Sequence, residues 1–522
     1  MIPLATLKAT VQQGLRLVAR ANDIREAEVY ASSTGQLLCR LNYTSNIPCH
    51  GVEEPKSTES YGLGIRAVFT GADGPRIGFG CEARDLSLHG LKRALEKARA
   101  NAVHDPEFVS LPTPIPESGK TAKRLARAAD RLILDLPDSA LLKAGWQVIE
   151  AALTAFQASE PLARLAGARE WIKQLGLIVG GDVTFHQQRM AVVSTLMPKV
   201  QTDETTLVSS YVTSMVEQFN AKGSGYAATT HLAKFTGEAG AEAARNAIRS
   251  AGGQRLPSGS YTVVLGPQPV SDLMNNLILP SLSADAFYSS RSAFLGHLGR
   301  PVACDLLSIY DHGAARGLAG SKGTTCEGLP TGRTDLIKEG VLRGLLSNHY
   351  ETQRLLRDPR AREKLGVNPQ DHPEALVPRN GFRLSARGGR SFEVTPTIAA
   401  TNVCIEGAVP HTTESLFRLV GNGVYIGRIW YTYAINGLRA GDFTCTVVGD
   451  SYLIQDGRLG APLQANAIRI TGNIRRFLKN ILGITKQSRP IIGWAADEVV
   501  YAPDIAVREL QLSEIAQYMQ SV

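Results

Sequence analysis

Apolar residues recur every three or four positions at the start of the chain, which is the spacing of one helical face. This stripe consists of Leu4, Leu7, Val11, Leu15 and Val18. Apolar and alternating runs over 28–31 and 36–43 then predict strands, and 62–69 with 76–80 predict a hairpin. A second stripe predicts another helix; it consists of Leu91, Ala94, Leu95, Ala98 and Ala102. This order of helix, strands and helix is typical of an α+β unit.

A proline-rich loop over 111–121 separates this unit from a region with helical spacing. We expect a helical insertion over about 121–175, which opens with a basic stretch and contains a helix at 139–156. The stripe that should bury this helix consists of Leu142, Trp146, Ile149, Leu153 and Phe156. From 177 to 216 the pattern becomes β-rich, and small residues over 236–250 predict one more helix.

The pattern changes after Pro257, where short strands separated by glycine turns become frequent. A strand over 261–265 precedes a predicted helix over 271–279, and Pro280 should stop it because proline has no backbone N–H. Further strands are predicted at 336–342, 423–433 and 452–459. The last of them contains the Asp456-Gly457 hairpin turn. No repeat at a fixed period is evident.

These elements predict an α+β fold with two domains and a boundary near residue 255. Residues 1–255 are expected to form a mixed sheet with helices on one face. Residues 256–522 are expected to form a β-rich, antiparallel, barrel-like domain, because a sheet with many strands must protect its edges.

Composition and charge exclude several classes of protein. Of the 522 residues, 43% are hydrophobic and 20% are charged, which is a globular rather than a disordered composition. The net charge is only +8, and the basic runs at 123–127 and 475–476 are short and not interleaved with aromatic residues. Nucleic-acid binding is therefore not expected. No run approaches the ~18 apolar residues of a membrane span, and the first residues lack the pattern of an export signal.

The seven cysteines indicate the redox environment. They are odd in number, widely spread and include no Cys-x-x-Cys pair, which argues against a disulfide framework or a zinc ribbon. We therefore expect reduced thiols in a cytoplasmic protein.

No catalytic motif stands out from the residues alone. The chain contains no His-Glu-x-x-His zinc motif and no Gly-x-Ser-x-Gly turn. Gly119-Lys120-Thr121 is similar to the end of a phosphate-binding loop, but the first glycine of that motif would fall on Pro114. His297 lies between apolar residues, where a structural role is the simplest interpretation.

Several short stretches carry a resemblance to known proteins. They consist of Tyr61-Gly-Leu-Gly-Ile-Arg66, Val263-Val-Leu-Gly-Pro267, the run from Glu327 to Ile337, the run from Gly423 to Tyr431, and Ser451-Tyr-Leu-Ile-Gln-Asp-Gly457. In this order they resemble the TldD/PmbA family of bacterial and archaeal proteases, which has TldD-like and TldE-like (PmbA) subunits. The resemblance spans most of the chain and is weakest over 121–175.

The resemblance implies a test for zinc. TldD-like subunits carry a His-Glu-x-x-x-His helix shortly after the strand that matches 263–267, and a later cysteine completes the zinc site. Counted without gaps, the two histidines fall on Asn275 and Pro280 and the glutamate on Asn276, and no cysteine follows Cys445. Amides are poor zinc ligands and proline offers none. On an ideal α-helix, residues 275 and 280 would also lie about 140° apart.

The resemblance therefore implies a TldE-like subunit with no catalytic residues, no metal ligands and no cofactor of its own. Its expected partner is a TldD-like, zinc-bearing subunit, and the two together would cleave unfolded or modified peptides.

An extended peptide implies a surface that can bind it. An exposed sheet edge accepts such a peptide through main-chain hydrogen bonds. We expect this surface along 423–433, with Arg428 and Trp430 on one face and Tyr431 on the other, and with His297 as a further contact. The alternative is that these are ordinary core and rim residues of the barrel.

Two other functions stay open. The chain could be a stand-alone, homodimeric peptide-binding or interaction protein without enzymatic activity. It could also be a nucleic-acid-linked regulator, because an older label of the family refers to DNA gyrase, although the charge distribution argues against this.

Overall fold

A long antiparallel sheet forms the N-terminal half of the structure, a computed structural model that describes residues 1–47, 51–71, 74–114, 129–385, 388–493 and 496–515. Its strands are β1 (Ile24–Thr44), β2 (Gly51–Val52), β3 (Lys56–Phe69), β4 (Arg76–Ala83), β5 (Val103–His104), β6 (Leu177–Ser194), β7 (Gln201–Val216) and β8 (Ala221–Thr229). They are ordered β5-β4-β3-β1-β6-β7-β8, with β2 paired to β1.

Every pairing of this sheet in the described residues is antiparallel, so the expected mixed strand directions are wrong. The reason is that β3–β4, β6–β7 and β7–β8 are joined directly, and a parallel pair would need a crossover of a dozen residues or more. The two short strands expected at 28–31 and 36–43 are one strand, β1, because its polar centre pairs on both sides.

The helices of this half cover one face of the sheet, as predicted. They are α1 (Leu4–Val18), α2 (Leu88–Ala100), α3 (Arg131–Leu134), α4 (Asp138–Gln157), α5 (Glu160–Ala166) and α6 (Glu238–Arg249). Odd-numbered residues of β1, such as Val29 and Leu41, pack beneath them. The even-numbered Tyr30 lies on the other face and packs against Phe382 and Phe392 of the C-terminal half.

Helices α3, α4 and α5 occupy the region of the predicted insertion from Arg131 onward, while residues 121–128 lie outside the described residues. The face of α4 that is buried differs from the face that the sequence predicts. Trp146 is 42% exposed, and the buried residues are Leu141, Ala144, Gly145, Val148, Ile149, Ala152 and Phe156. Small residues take part in this buried face because α4 packs closely against α6 and β1, which a search for large apolar side chains does not detect.

The sheet consists of two similar halves, which sequence periodicity did not reveal. Each half is a three-stranded meander followed by a helix: β1-β3-β4-α2 and β6-β7-β8-α6. In each, the helix packs closely on glycines of the third strand. A Cβ on Gly78 would lie 1.9 Å from the Ala98 carbonyl oxygen, and one on Gly225 would lie 1.9 Å from that of Ala239.

The C-terminal half is rich in strands. They are β9 (Gly259–Leu265), β10 (Leu307–His312), β11 (Arg333–Lys338), β12 (Val341–Leu342), β13 (Gly381–Phe382), β14 (Thr397–Ile398), β15 (Asn402–Gly407), β16 (Pro410–His411), β17 (Gly423–Ile435), β18 (Asp442–Gln455), β19 (Arg458–Pro462), β20 (Ile468–Asn473), β21 (Ile481–Ile491) and β22 (Val499–Glu514). The pairings β9-β17-β18-β20-β22-β9 close into a ring, so this half is barrel-like as expected.

Strand directions in the C-terminal half are not purely antiparallel. The pairs β15–β22, β16–β21 and β17–β9 are parallel, because each joins strands far apart in the chain. The β18–β19 hairpin turns at Asp456 and Gly457, both with positive φ, as the Asp-Gly motif predicts.

The helices of this half are short. They are α7 (Pro267–Leu273), α8 (Leu279–Ser281), α9 (Ala284–Tyr288), α10 (His349–Arg357), α11 (Ala361–Leu365), α12 (Thr413–Val420) and α13 (Ile474–Lys479). Within the described ranges, no helix has the length and apolar character needed to cross a membrane.

Buried ion pairs join the two halves of the chain. Glu28 on β1 binds Arg66 at 3.0 Å and also Arg383 of the C-terminal half, and Asp203 on β7 binds Arg390. All of these side chains are buried, so removing one partner would leave an uncompensated charge in the interior.

Candidate functional site

The helix that follows β9 contains a π-helical turn. It runs through α7, the turn Met274–Ile278 and α8, and the Leu279 N–H donates to the Met274 carbonyl five residues earlier. The prediction that Pro280 ends this helix is wrong, since Pro280 lies within α8. In a regular α-helix, Pro280 could not donate a hydrogen bond to the carbonyl four residues earlier, and its ring would clash with that carbonyl. The wider π turn accommodates the proline.

The π turn also changes the expected geometry of the residues aligned with the zinc motif. A bond between residues five apart brings Asn275 and Pro280 towards the same side of the helix, so the 140° separation of an ideal α-helix does not apply. Residues five apart in this turn therefore lie closer together around the helix axis than they would in a regular α-helix.

The side chains at these positions do not fit zinc. Asn275 is a neutral amide, Asn276 is exposed and its Nδ2 donates to the Asp272 carbonyl at 2.9 Å, and Pro280 has no donor atom. In the described part of the chain, no cluster of three His, Cys, Asp or Glu residues is arranged to hold a metal ion. Trp494 and Ala495 lie outside the described residues.

Asn275 is packed tightly against the end of β21. Both polar atoms of its side chain are buried and have no hydrogen-bond partner among the described residues. A Cβ on Gly493 would lie 2.6 Å from Asn275 Nδ2, so a larger residue there would require the Asn275 amide to shift. A buried amide without partners is unfavourable by about 1–3 kcal/mol.

A cavity of about 460 Å³ lies beside this helix, between the open face of the N-terminal sheet and the C-terminal half. From the sheet, the lining includes Gln36, Leu38, Arg40, Asp182, Thr184 and His186. From the C-terminal half, it includes Gln268, Ser271, Asp272, Lys322, Trp430 and Asp497. The site is therefore assembled from both halves of the chain.

Charges in the cavity are unevenly paired. Arg40 Nε lies 3.0 Å from Asp182 Oδ1. Asp272 makes no ion pair within the described residues, and burial raises the pKa of its carboxyl. Burial likewise lowers the pKa of His186 below its usual range. Burial also lowers the pKa of Lys322, although Asp497 opposes this.

Gln268 attaches this helix to the barrel. Its Oε1 accepts from the Ile429 N–H at 2.9 Å, and its Nε2 donates to the Ile429 carbonyl at 3.3 Å. The amide thus fixes β17 next to Trp430, which lines the cavity.

The strand predicted to bind peptides is present, but it is irregular. The register of β17 against β18 shifts between Arg428 and Ile429 and again between Trp430 and Tyr433, and Tyr431 has a positive φ. Simple alternation therefore does not decide which residues of 428–433 share a face, and the expected faces stay a prediction.

The proposed peptide-binding residues occupy different surroundings. Arg428 is half-buried and donates to Ser224 Oγ at 2.7 Å and to Tyr211 on the N-terminal sheet, so it joins the two halves. Tyr431 is 69% exposed. His297 is exposed, its Nδ1 lies 2.6 Å from the Leu295 carbonyl, and it does not line the cavity.

Asp450 lies close to Arg428 at the same contact. Its Oδ2 accepts from the Ser224 N–H at 3.1 Å. Burial raises the pKa of Asp450 to about 7, although Arg428 opposes the shift. This carboxyl therefore titrates near neutral pH at the boundary between the two halves.

Sequence reasoning missed Asp272, Ser271 and the cavity itself. These residues come from an unremarkable helix, and their neighbours in space are up to about 240 residues away. The one available signal was Pro280 inside a helical pattern, because a proline there is a common cause of a local helix distortion.

Comparisons with known proteins agree on one family. The family model described as "PmbA/TldA metallopeptidase C-terminal domain" matches residues 258–514, and "PmbA/TldA metallopeptidase domain 1" matches residues 51–102. A metalloprotease of Methanothermobacter thermautotrophicus is 25% identical over 257 residues, 49% of this chain and 50% of that protein. Metalloprotease PmbA of Escherichia coli O157:H7 is 25% identical over 246 residues, 47% of this chain and 45% of that protein. The matched region spans about half the length of these curated relatives.

Solved structures share the fold over nearly the whole chain. TldE from Thermococcus kodakarensis superimposes with a TM-score of 0.73 at 15% identity, covering 97% of this chain and 100% of that one. A Bacteroides thetaiotaomicron protein described as a modulator of DNA gyrase gives 0.67 at 16% identity, covering 98% of each chain. At these identities the likeness establishes the fold alone.

Proposed function

We propose that this chain is the non-catalytic, TldE-like subunit of a two-subunit peptidase. The chain belongs to the PmbA/TldD metallopeptidase family, which is the starting point of the proposal. In this proposal a TldD-like partner binds the zinc, and the complex cleaves unfolded or modified peptides. The observation that carries the proposal is the π-helical turn. Such a turn reduces the angle about the helix axis between residues 275 and 280, which two ligands of one ion would need, but these positions hold an amide and a proline.

An open strand edge supports a role in peptide binding. β9 pairs with β17 only from Val424 to Ile426, and Gln268 satisfies the main chain at Ile429. Beyond Trp430, no strand pairs with the edge of β17 that faces away from β18, as far as the chain is described. An extended peptide could add there by main-chain hydrogen bonds, with little dependence on its sequence.

An exposed apolar stripe supports association with a partner. Tyr431, Tyr433 and Ile435 are 69%, 58% and 36% exposed, and they follow one another on the last residues of β17. Obligate interfaces commonly bury ~2,000 Å² or more and are enriched in aromatic residues. We propose this stripe as the centre of the contact with the TldD-like subunit.

We place the complex in the cytoplasm, because the six described cysteines are all free.

The test is co-expression of the chain with a TldD-like protein encoded in the same genome. We expect a stable complex in size-exclusion chromatography with light scattering, zinc in the partner by elemental analysis, and cleavage of an unfolded peptide only by the complex. A homodimer that ignores the partner would favour the stand-alone binding protein instead.

A matched pair of variants locates the interface. Tyr431→Ser with Tyr433→Ser should weaken association at least about tenfold, because two aromatic anchors are lost. Trp171→Ser, which removes a similarly exposed aromatic residue of the N-terminal insertion, should have no effect. Equal affinities of the two variants would contradict the proposed interface while leaving the complex itself intact.

A further inference from the structure

The cavity between the two halves carries an excess of negative charge. Among the described residues that line it, the carboxylates are Asp182, Asp272 and Asp497, and the cations are Arg40 and Lys322. Arg40 pairs with Asp182 at 3.0 Å, and Lys322 is attracted to Asp497. Asp272 has no counter-ion in the described part of the chain, so burial raises the pKa of its carboxyl, and a bound cation would favour its charged form. His186 contributes little positive charge at neutral pH, because burial lowers its pKa.

Two hydroxyl groups in the cavity wall also lack hydrogen-bond partners among the described residues. Ser271 is 1% exposed and Ser210 is 4% exposed, and neither Oγ makes a hydrogen bond within the described residues. Buried polar groups are nearly always paired, so unpaired hydroxyls at a cavity wall indicate where a ligand would donate or accept. Ser271 directly precedes Asp272 in α7.

An aromatic ring borders the same space. Trp430 lines the cavity, and the contacts of Gln268 with Ile429 hold the adjoining backbone in place. A cavity lined by both an indole and a carboxylate is a favourable environment for an organic cation, which can gain cation–π and ionic attraction together. A metal ion is a poorer fit, since no three suitable ligands come together in the described ranges.

We propose that this cavity binds a primary ammonium group of a peptide, with Asp272 as the counter-charge, Ser271 as a hydrogen-bond acceptor and the face of Trp430 against the alkyl chain. The choice of a peptide as the carrier rests on the proposed function, whereas the choice of a cation rests on the cavity alone. Through this site the subunit would favour lysine side chains or free amino termini in the peptides that it holds.

The test is isothermal titration calorimetry on the full chain without its partner. The probes are acetyl-Gly-Lys-Gly-amide, its uncharged isostere acetyl-Gly-norleucine-Gly-amide, and Gly-Gly-Gly-amide with a free amino terminus. We expect the lysine peptide or the free-amine peptide to bind at least about tenfold more tightly than the norleucine peptide. Which of the two binds identifies the source of the ammonium group.

Variants assign the preference to the cavity. Asp272→Asn keeps the shape and removes the charge, and should abolish the preference for the cationic probe. Asp305→Asn, at an exposed carboxylate of the same half, should leave it unchanged. Trp430→Phe should weaken binding less than Trp430→Leu, because phenylalanine retains an aromatic face.

The inference would be overturned if neither cationic probe bound more tightly than the norleucine peptide, or if the preference for a cationic probe were unchanged in Asp272→Asn. None of these results bears on whether the chain assembles with a TldD-like subunit. Conversely, if the chain failed to assemble with that subunit, the conclusion that its cavity binds an ammonium group would still stand, because binding is measured on the chain alone.

Discussion

Substitution of Asp450 by asparagine should change how the stability of this protein depends on pH. Asp450 is 5% exposed, and its carboxylate accepts from the Ser224 N–H across the contact between the two halves. Burial raises its pKa from the ordinary 3.8 to about 7 despite the attraction of Arg428. Asparagine has nearly the same shape, can accept the same hydrogen bond and does not titrate.

The magnitude follows from proton linkage. Between about pH 4 and about pH 7 the folded protein holds the Asp450 proton and the unfolded chain does not, so the free energy of unfolding falls as pH rises. The slope is about 1.4 kcal/mol per pH unit, or about 4 kcal/mol across the window. The stabilisation by the Asp450 proton is fully present below the pKa of this carboxyl in the unfolded chain, and it is lost above its pKa in the folded protein. The asparagine variant lacks this term at every pH.

Urea unfolding followed by circular dichroism, at several values between about pH 4 and about pH 8, measures the effect. We expect the stability of wild type relative to Asp450→Asn to decrease by about 4 kcal/mol over this range. Other buried acids, such as Glu327 with its pKa raised to about 7, are present in both proteins and cancel in the difference. Parallel pH profiles, or a difference that grows in the opposite direction, would refute the assignment, and Asp305→Asn serves as the exposed control.

Three further predictions concern the helix after β9 and the N-terminal sheet. The combined variant Asn275→His, Asn276→Glu and Pro280→His should bind zinc only weakly in equilibrium dialysis and show no peptidase activity, because a third ligand and its supporting contacts are missing. Asn275→Leu should raise the free energy of unfolding by about 1 kcal/mol in urea titrations, since it removes a buried amide that has no hydrogen-bond partner in the described part of the chain. Gly225→Ala should lower the melting temperature by more than about 5 °C, because its Cβ would overlap a helix carbonyl, whereas Gly449→Ala, with only ordinary contacts, should not.

Much of the fold was predictable because local chemistry specifies it. The stripe from Leu4 to Val18, the Asp456-Gly457 turn and the strand after Gly423 are all decided by residues close in sequence, and each lies where the pattern places it. Strand directions and the merging of 28–31 with 36–43 into β1 were not predictable in this way. They depend on pairing with β3 and β6, whose residues are distant in the chain.

The candidate site was less accessible to sequence reasoning. Alignment with a zinc motif selected Asn275 and Pro280, but the π turn that relates them arises from packing and from a missing N–H. Asp272 and Trp430 line the same cavity only because a helix, a bulged strand and the open face of the sheet converge. The sequence of each element does not indicate this convergence, because the local pattern of each would be the same if the elements were far apart.

The long seam between β1 and β6 has a mechanical consequence. These strands pair from Glu28–Ser194 to Thr44–Ile178 without a break in register, so the two similar halves of the sheet behave as one stiff plate. Bending between them would have to shear a continuous ladder of hydrogen bonds. Any movement that admits a ligand to the enclosed space is thus displaced to the joint between plate and barrel. Side-chain contacts that join the two parts there include the ion pair of Arg489 with Glu242 at 2.7 Å, and such a movement would have to break contacts of this kind.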